Sequence, residues 1–253
     1  MLERLPYFAA PTPRIIAHRG LAIEAPENTL LAFAHAVGIG VTHIETDVHV
    51  SADGVAMVAH DPDLSRVAGI TASVDTLSAR DLATIDLGQG QHMPTLSEAL
   101  DGFPDAFFNI DLKTMGAVVP TVEAITELRA NDRVLLTSFS ERRRRAVLRL
   151  LPDVATSASG PRFASALVAS VVRAGPLVRA SLRGLHAVQI PQRALGLDTV
   201  TPARIRAFHD AGVEVHVWTI NDADTMRDLL GRGVDGIVTD RADLGRAVVA
   251  SLS

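Results

Sequence analysis

Cysteine is absent from all 253 residues, so disulfide frameworks and thiolate metal sites are both excluded. Aromatic residues are scarce at 4%, and the single tryptophan, Trp218, therefore stands out. No apolar run is long enough for a membrane span of roughly 20 residues. The most apolar window, Ser165–Leu182, is interrupted by Arg173, Gly175, Pro176 and Arg179, and stable membrane insertion is not expected. The opening stretch MLERLPYFAAPTPR places Glu3 early and has no signal-peptide core before Pro6 and Pro11, so the expectation is a cytoplasmic protein. Basic charge is not in excess either. With 24 basic against 29 acidic residues and a net charge of −5, a nucleic-acid surface built on bulk charge is disfavoured.

What is present is a sizeable apolar fraction, 47%, with 21% charged residues, as expected for a folded chain with a large core. The length suits one large domain or two small ones, and α/β barrels commonly reach it as one unit. The stretch Ile44–Asp61, IETDVHVSADGVAMVAHD, organises the rest. In a strand, Glu45 and Asp47 leave the same face, and two acids aimed together call for a cation, a metal or a shared proton between them. Asp53-Gly54 then signals a tight hairpin. Four turn residues cannot make a parallel crossover, so the run Val55–Ala59 must fold back and return His60 towards Asp47.

Elsewhere apolar runs alternate with helical periodicity. Arg14–Ala17 reads as a strand, Leu30–Val37 as a helix, and Thr42–Val48 as the second strand. Asp63–Met93 reads as irregular apart from a short helix near Ser78–Ile85, which makes about 49–94 an insertion after the second strand. Thr95 and Glu98 form a capping box. Strands are then expected at Ala106–Leu112, Val134–Phe139, Val154–Ser157, Ala187–Pro191, Val213–Ile220 and Gly236–Thr239, with helices between and after them. Setting the returning hairpin arm aside, eight strands each precede a helix. This is the arithmetic of a (β/α)8 TIM barrel, expected as one domain over 1–253 with its core at about 14–245; a doubly wound open sheet is the alternative.

Polar residues fall at the carboxyl ends of these strands, while the amino ends read as apolar or unremarkable. His18-Arg19, Glu45/Asp47, Asp111/Lys113, Ser138, Gln189, Trp218 and Thr239-Asp240 would converge on one barrel mouth. Three carboxylates without a thiolate favour a hard divalent cation, Mg²⁺ or Ca²⁺, over zinc. Arg19 and Lys113 supply charge for an anionic oxygen pair, and His18 and His60 offer an acid and a base near neutral pH. These are parts for phosphodiester cleavage.

The motifs His18-Arg19-Gly20, Pro26-Glu27-Asn28-Thr29, Glu45-Thr46-Asp47-Val48, His60-Asp61, Pro94-Thr95-Leu96, Asn109-Ile110-Asp111-Leu112-Lys113, Ser138-Phe139-Ser140, Val217-Trp218-Thr219-Ile220-Asn221 and Gly236-Ile237-Val238-Thr239-Asp240 resemble, in order, those of the glycerophosphodiester phosphodiesterases. Each alone is weak; their order is specific. The resemblance implies a metal-dependent barrel hydrolase that splits glycerophosphodiesters into an alcohol and glycerol 3-phosphate. It implies that Glu45, Asp47 and Asp111 bind the metal, that His18 and His60 are the acid–base pair, that Arg19 and Lys113 hold phosphate, and that Trp218 walls the glycerol. Glu27 would brace its loop and orient Arg19.

Two positions depart from the family pattern. Asp111 stands where Glu is usual and is shorter by about 1.5 Å of reach. His49 stands where a small polar residue is common. A lysophospholipase D acting on lysophospholipids is the rival enzyme, and a non-catalytic glycerophosphodiester-binding barrel is the rival from another class. Arg142–Arg145 reads as the solvated face of a helix, His35, His43, His186, His209 and His216 as structural or surface residues, and Phe163–Leu182 as a helix with its connection outside the barrel.

Overall fold

Alternation of side chains along the strands decides the architecture. In the computed structural model, which describes residues 5–252, Ile15 and Ala17 of β1 (Arg14–His18) pack outward against helices, so Arg14, Ile16 and His18 point into the barrel. The glutamate at position 3 lies outside the described residues. Helix α1 (Leu30–Gly38) follows, opened by Thr29, whose side chain accepts from the Ala32 amide. Strand β2 (His43–Val50) sends Ile44 and Val48 outward and His43, Glu45 and Asp47 inward. It pairs antiparallel with β3 (Ala56–Val58), with Val48 opposite Val58. The expected hairpin forms.

The segment beyond the hairpin is more ordered than its irregular spacing suggests. It holds the short helices α2 (Ser65–Ala68) and α3 (Ala79–Leu82), which pack around Met57, Leu64, Val74, Leu82 and Met93 as a small core of their own. Neither helix is long enough to display a period. Local bonds start them instead: Asp63 Oδ1 accepts from the Ser65 amide at 2.9 Å, and Ser78 and Asp81 form a capping box. Helix α4 (Leu96–Gly102) begins with the predicted Thr95/Glu98 box.

The remaining units run β4 (Phe107–Leu112), α5 (Val118–Glu127), β5 (Val134–Thr137), α6 (Glu141–Leu150), β6 (Ala155–Thr156), α7 (Gly160–Val171), α8 (Gly175–Leu182) and β7 (Ala187–Pro191). A two-stranded ribbon, β8 (Arg193–Ala194) with β9 (Leu197–Asp198), precedes α9 (Pro202–His209), β10 (Glu214–Trp218), α10 (Ala223–Gly231), β11 (Gly236–Thr239) and α11 (Ala242–Ala250). The apolar stretch after β6 is thus two helices, broken where Arg173 adopts a φ of 55° ahead of Gly175 and Pro176.

The parallel order is β6-β5-β4-β2-β1-β11-β10-β7, and a bridge between Ser157 and Ala187 brings the two ends together. Eight parallel strands form a nearly closed barrel with helices between them. Residues from both ends of the chain therefore share one mouth.

The amino ends of the strands, expected to be apolar or unremarkable, carry a buried polar cluster instead. Arg14 is buried there in an ion pair with Glu214, and it also donates to the carbonyls of Phe8 and Ala10 at 2.9 and 2.7 Å. His43 stacks on Phe107 with ring centroids 4.8 Å apart, and burial, helped by Arg14, pushes it down to about 3. His216 is buried beside them, and a Cβ at position 236 would lie 2.8 Å from its ring, which explains Gly236. The Pro6–Phe8 turn lies against this end, with Tyr7 edge-on to His43 and Phe107. These polar groups were invisible as a set because they come from three strands, β1, β2 and β10, that only the folded sheet brings together.

Candidate active site

At the opposite mouth, His18 ends β1 and the chain turns sharply through Arg19 and Gly20. Gly20 has a φ of 84°, and a Cβ there would sit 2.7 Å from the backbone of Ala32, so only glycine allows the loop to press against α1. The turn fixes Arg19 over β2: its amide donates to the Glu45 carbonyl at 2.9 Å and to Glu45 Oε2 at 3.2 Å. The Pro26–Thr29 loop is tied to the same strand. Asn28 Nδ2 donates to Asp47 Oδ2 at 3.3 Å, and Thr46 Oγ1 donates to Asn28 Oδ1 at 2.7 Å.

Neighbouring strands are in register, so Asp47 stands beside Asp111 and Glu45 beside Asn109. Lys113 Nζ lies 2.7 Å from Asp47 Oδ1 and 2.8 Å from Asp111 Oδ2. One ammonium does not balance this floor. Burial, and then the charge of Asp47, raises Glu45 to about 8. Burial also raises Asp111 despite Lys113, and Asp111 Oδ1 is buried with no hydrogen-bond partner. Oxygen-only donors, excess negative charge and an unspent carboxylate oxygen suit a hard divalent cation in their chemistry. In the present arrangement Lys113 and Arg19, whose Nε lies 3.4 Å from Asp47 Oδ2, supply the positive charge, and among the described residues no three acids or imidazoles are grouped as a finished metal site.

The two histidines arrive from different elements but are held alike. His18 Nδ1 lies 2.6 Å from Asp240 Oδ1, and Asp240 is anchored by Asn221, whose Nδ2 donates to its Oδ2 at 2.7 Å. Burial pulls the His18 imidazole down, but Asp240 and Glu45 outweigh it and the net direction is up. His60 Nδ1 lies 2.7 Å from Asp61 Oδ1. A carboxylate at Nδ1 keeps the proton there and leaves Nε2 as the working nitrogen of each ring. The hairpin delivers His60 as the spacing foretold, with the Ala59 amide donating to the Asp47 carbonyl at 3.0 Å. His49 Nε2 lies 3.1 Å from the carbonyl of His60, and burial pushes the His49 imidazole down. It braces the turn from behind.

His18, Arg19, Glu45, Asp47, His60, Asp111, Lys113 and Trp218 all line one cleft of about 380 Å³. Glu27 does not line it, and instead accepts from Arg19 Nη1 at 2.9 Å. One wall is apolar: Trp218 and Phe139 meet edge to face at 5.9 Å, with Phe163 and Pro191 nearby. Asp240, Asn221 and Phe139 stand in the motif stretches but carry no role that the sequence assigned to them. Their signal was membership of those motifs. Arg142–Arg145 is not one solvated face, because Arg144 is only 4% exposed and Arg143 Nε donates to Ser138 Oγ at 2.9 Å. A four-arginine run on a helix necessarily turns some of its members inward.

Residues 18–244 match the model of the glycerophosphoryl diester phosphodiesterase family. The chain belongs to this family. A probable glycerophosphodiester phosphodiesterase 2 of Mycobacterium tuberculosis is 44% identical over 236 residues, covering 92% of this chain and 89% of that protein. Among solved structures, a glycerophosphodiester phosphodiesterase from Agrobacterium tumefaciens superposes with a TM-score of 0.77 at 28% identity, covering 94% of this chain and 99% of the other. A phosphodiesterase of Oleispira antarctica, solved with the product sn-glycerol-3-phosphate, superposes at 0.78 with 25% identity and covers 95% and 97%. As a glycerophosphoryl diester phosphodiesterase family member, this chain is a phosphoric diester hydrolase. The family match includes every motif residue of the cleft. Among the described residues no helix is long and apolar enough to cross a membrane.

Proposed function

We propose that the protein hydrolyses glycerophosphodiesters such as glycerophosphocholine or glycerophosphoethanolamine to an alcohol and sn-glycerol 3-phosphate by histidine acid–base catalysis, in the cytoplasm. One observation carries this reading: two imidazoles, each held at Nδ1 by its own carboxylate, enter a cleft that also holds Arg19, Lys113 and three acids. Arg19 and Lys113 take the non-bridging phosphate oxygens, the guanidinium as a planar fork and the ammonium as a point charge. Trp218 walls the glycerol. Glu45, Asp47 and Asp111 hold Mg²⁺ or Ca²⁺, which when bound neutralises charge developing on the phosphoryl oxygens.

One histidine accepts the proton of the glycerol 2-hydroxyl through Nε2 as that oxygen bonds to phosphorus. The other donates its proton to the departing alcohol oxygen as the ester bond breaks. The cyclic phosphate is then opened by water with the proton roles reversed, and both rings return to their starting states. Asp240 and Asp61 keep the tautomers in place throughout, so neither ring is lost to rotation.

The test is an assay of glycerol 3-phosphate release after chelator treatment, with each ion restored in turn. Release from glycerophosphocholine should return with the ion, and His60→Ala should lower kcat by about 10²–10⁴-fold while still binding substrate. Absence of release from every head group with either ion would refute the reading. Faster cleavage of lysophosphatidylcholine would move the substrate to the lysophospholipids, and an inert parent that still binds glycerophosphocholine would make the barrel a sensor.

A further inference from the structure

The carboxylate that holds His60 is not free-standing. Asp61 Oδ2 accepts from Arg66 Nε at 2.5 Å, and the two ends of the same guanidinium donate to Glu27, Nη1 to Oε2 at 3.0 Å and Nη2 to Oε1 at 2.6 Å. Glu27 Oε1 in turn accepts from Arg19 Nη1 at 2.9 Å. A continuous line therefore runs His60–Asp61–Arg66–Glu27–Arg19, from a candidate proton carrier to a candidate phosphate fork. Its two ends belong to different loops, one following β1 and the other following β3, and Arg66 on α2 is the link between them.

The geometry is demanding. Every nitrogen of the Arg66 guanidinium donates to one of these two carboxylates, and Glu27 is gripped on both oxygens. An exposed ion pair alone rarely contributes much, and the Arg66 side chain is 50% exposed. Here the value lies in placement. The planar fork sets where Asp61 and Glu27 stand relative to each other, and those carboxylates set the ring of His60 and the guanidinium of Arg19. Lysine, with a single nitrogen, cannot hold both carboxylates in that plane.

We infer that Arg66 is a positioning residue for catalysis, aligning His60 through Asp61 and Arg19 through Glu27. The inference rests on the phosphodiesterase reading above. It explains why the insertion after the hairpin carries a small core of its own: Val67 and Ala68 of α2 pack on that core, which holds Arg66 at a fixed height over the mouth.

The experiment is a double-mutant cycle of Arg66→Ala and Asp61→Asn on the full chain, with Arg66→Lys alongside, reading kcat, KM and the thermal midpoint. If Arg66 works through Asp61, each single variant loses about 10–100-fold in kcat, and the double variant loses no more than the worse single one. Arg66→Lys recovers part of kcat but not all, and the thermal midpoints stay near the parent's. Glu27→Gln raises KM instead, because it loosens Arg19. Multiplicative losses in the double variant, an unchanged kcat in Arg66→Ala, or a loss that tracks a lowered thermal midpoint would each overturn the inference. Should the parent be active, His60→Ala inactive and Arg66→Ala unaffected, only the positioning role fails; should His60→Ala keep full activity, the acid–base reading itself fails.

Discussion

Glu45 is buried beside Asp47 on the same strand face, with His18, Lys113 and Arg19 offsetting the charge in part. Such a residue costs the fold stability in return for a function. Glu45→Gln keeps the shape and removes the repulsion. Its cation-free form should melt about 2–4 °C above the cation-free parent, which corresponds to about 1 kcal/mol in a chain of this size. Adding Mg²⁺ or Ca²⁺ should raise the midpoint of the parent and leave the variant nearly unmoved, because only a native state that binds the ion gains from it. A differential scan reads both effects. A variant that melts below the parent and still responds fully to the ion would remove Glu45 from the cation-binding set. That Glu45 and Asp47 share one strand face was legible from their i, i+2 placement, because side chains alternate along a strand. The partners Asp240, Asn221 and Arg66 were not, because the bonds His18–Asp240, Asn221–Asp240 and Arg66–Glu27 span 222, 19 and 39 residues of chain and leave no trace in local pattern.

At the scale of elements, α6 illustrates what a run of charge conceals. Glu141 accepts from Arg144 at 2.8 and 2.9 Å, from Arg145 at 2.7 Å and from Ser159 at 2.8 Å. Burial raises its carboxyl, yet these bonds outweigh it and hold the group down to about 2. An acid depressed from its ordinary 4.5 contributes stability above that pH and loses it as the pH falls through about 2. Glu141→Gln should therefore cost about 2 kcal/mol at pH 7, and the gap between parent and variant should close as pH falls from about 4.5 towards about 2. Urea titrations at pH 7 and in acid measure it; a gap that stays constant would show that the arginine contacts survive without the charge. The starts of α6 and α9 were readable from Ser140 and from Thr201 with Pro202 as helix-opening residues. The short helix near Ser78–Ile85 was also expected and is α3, but α2 was not legible, since four residues cannot express a period of 3.6.

Across the whole molecule, parallel register converts strand ends scattered along the chain into one polar mouth, while a second polar cluster fills the opposite end around Arg14, Glu214 and His216. Eight repeats of strand and helix made the barrel legible. The residues of the mouth were legible from their place at the carboxyl ends of the strands, whereas the cluster at the far end was not, since only the folded sheet brings its members together. A crystal of the protein soaked with Mn²⁺ and sn-glycerol 3-phosphate tests the central claim most directly. The account predicts an anomalous peak against Glu45, Asp47 and Asp111, with phosphorus lying between His18 and His60 and its oxygens on Arg19 and Lys113. A phosphate bound away from both imidazoles, or a metal peak remote from the three acids, would contradict it.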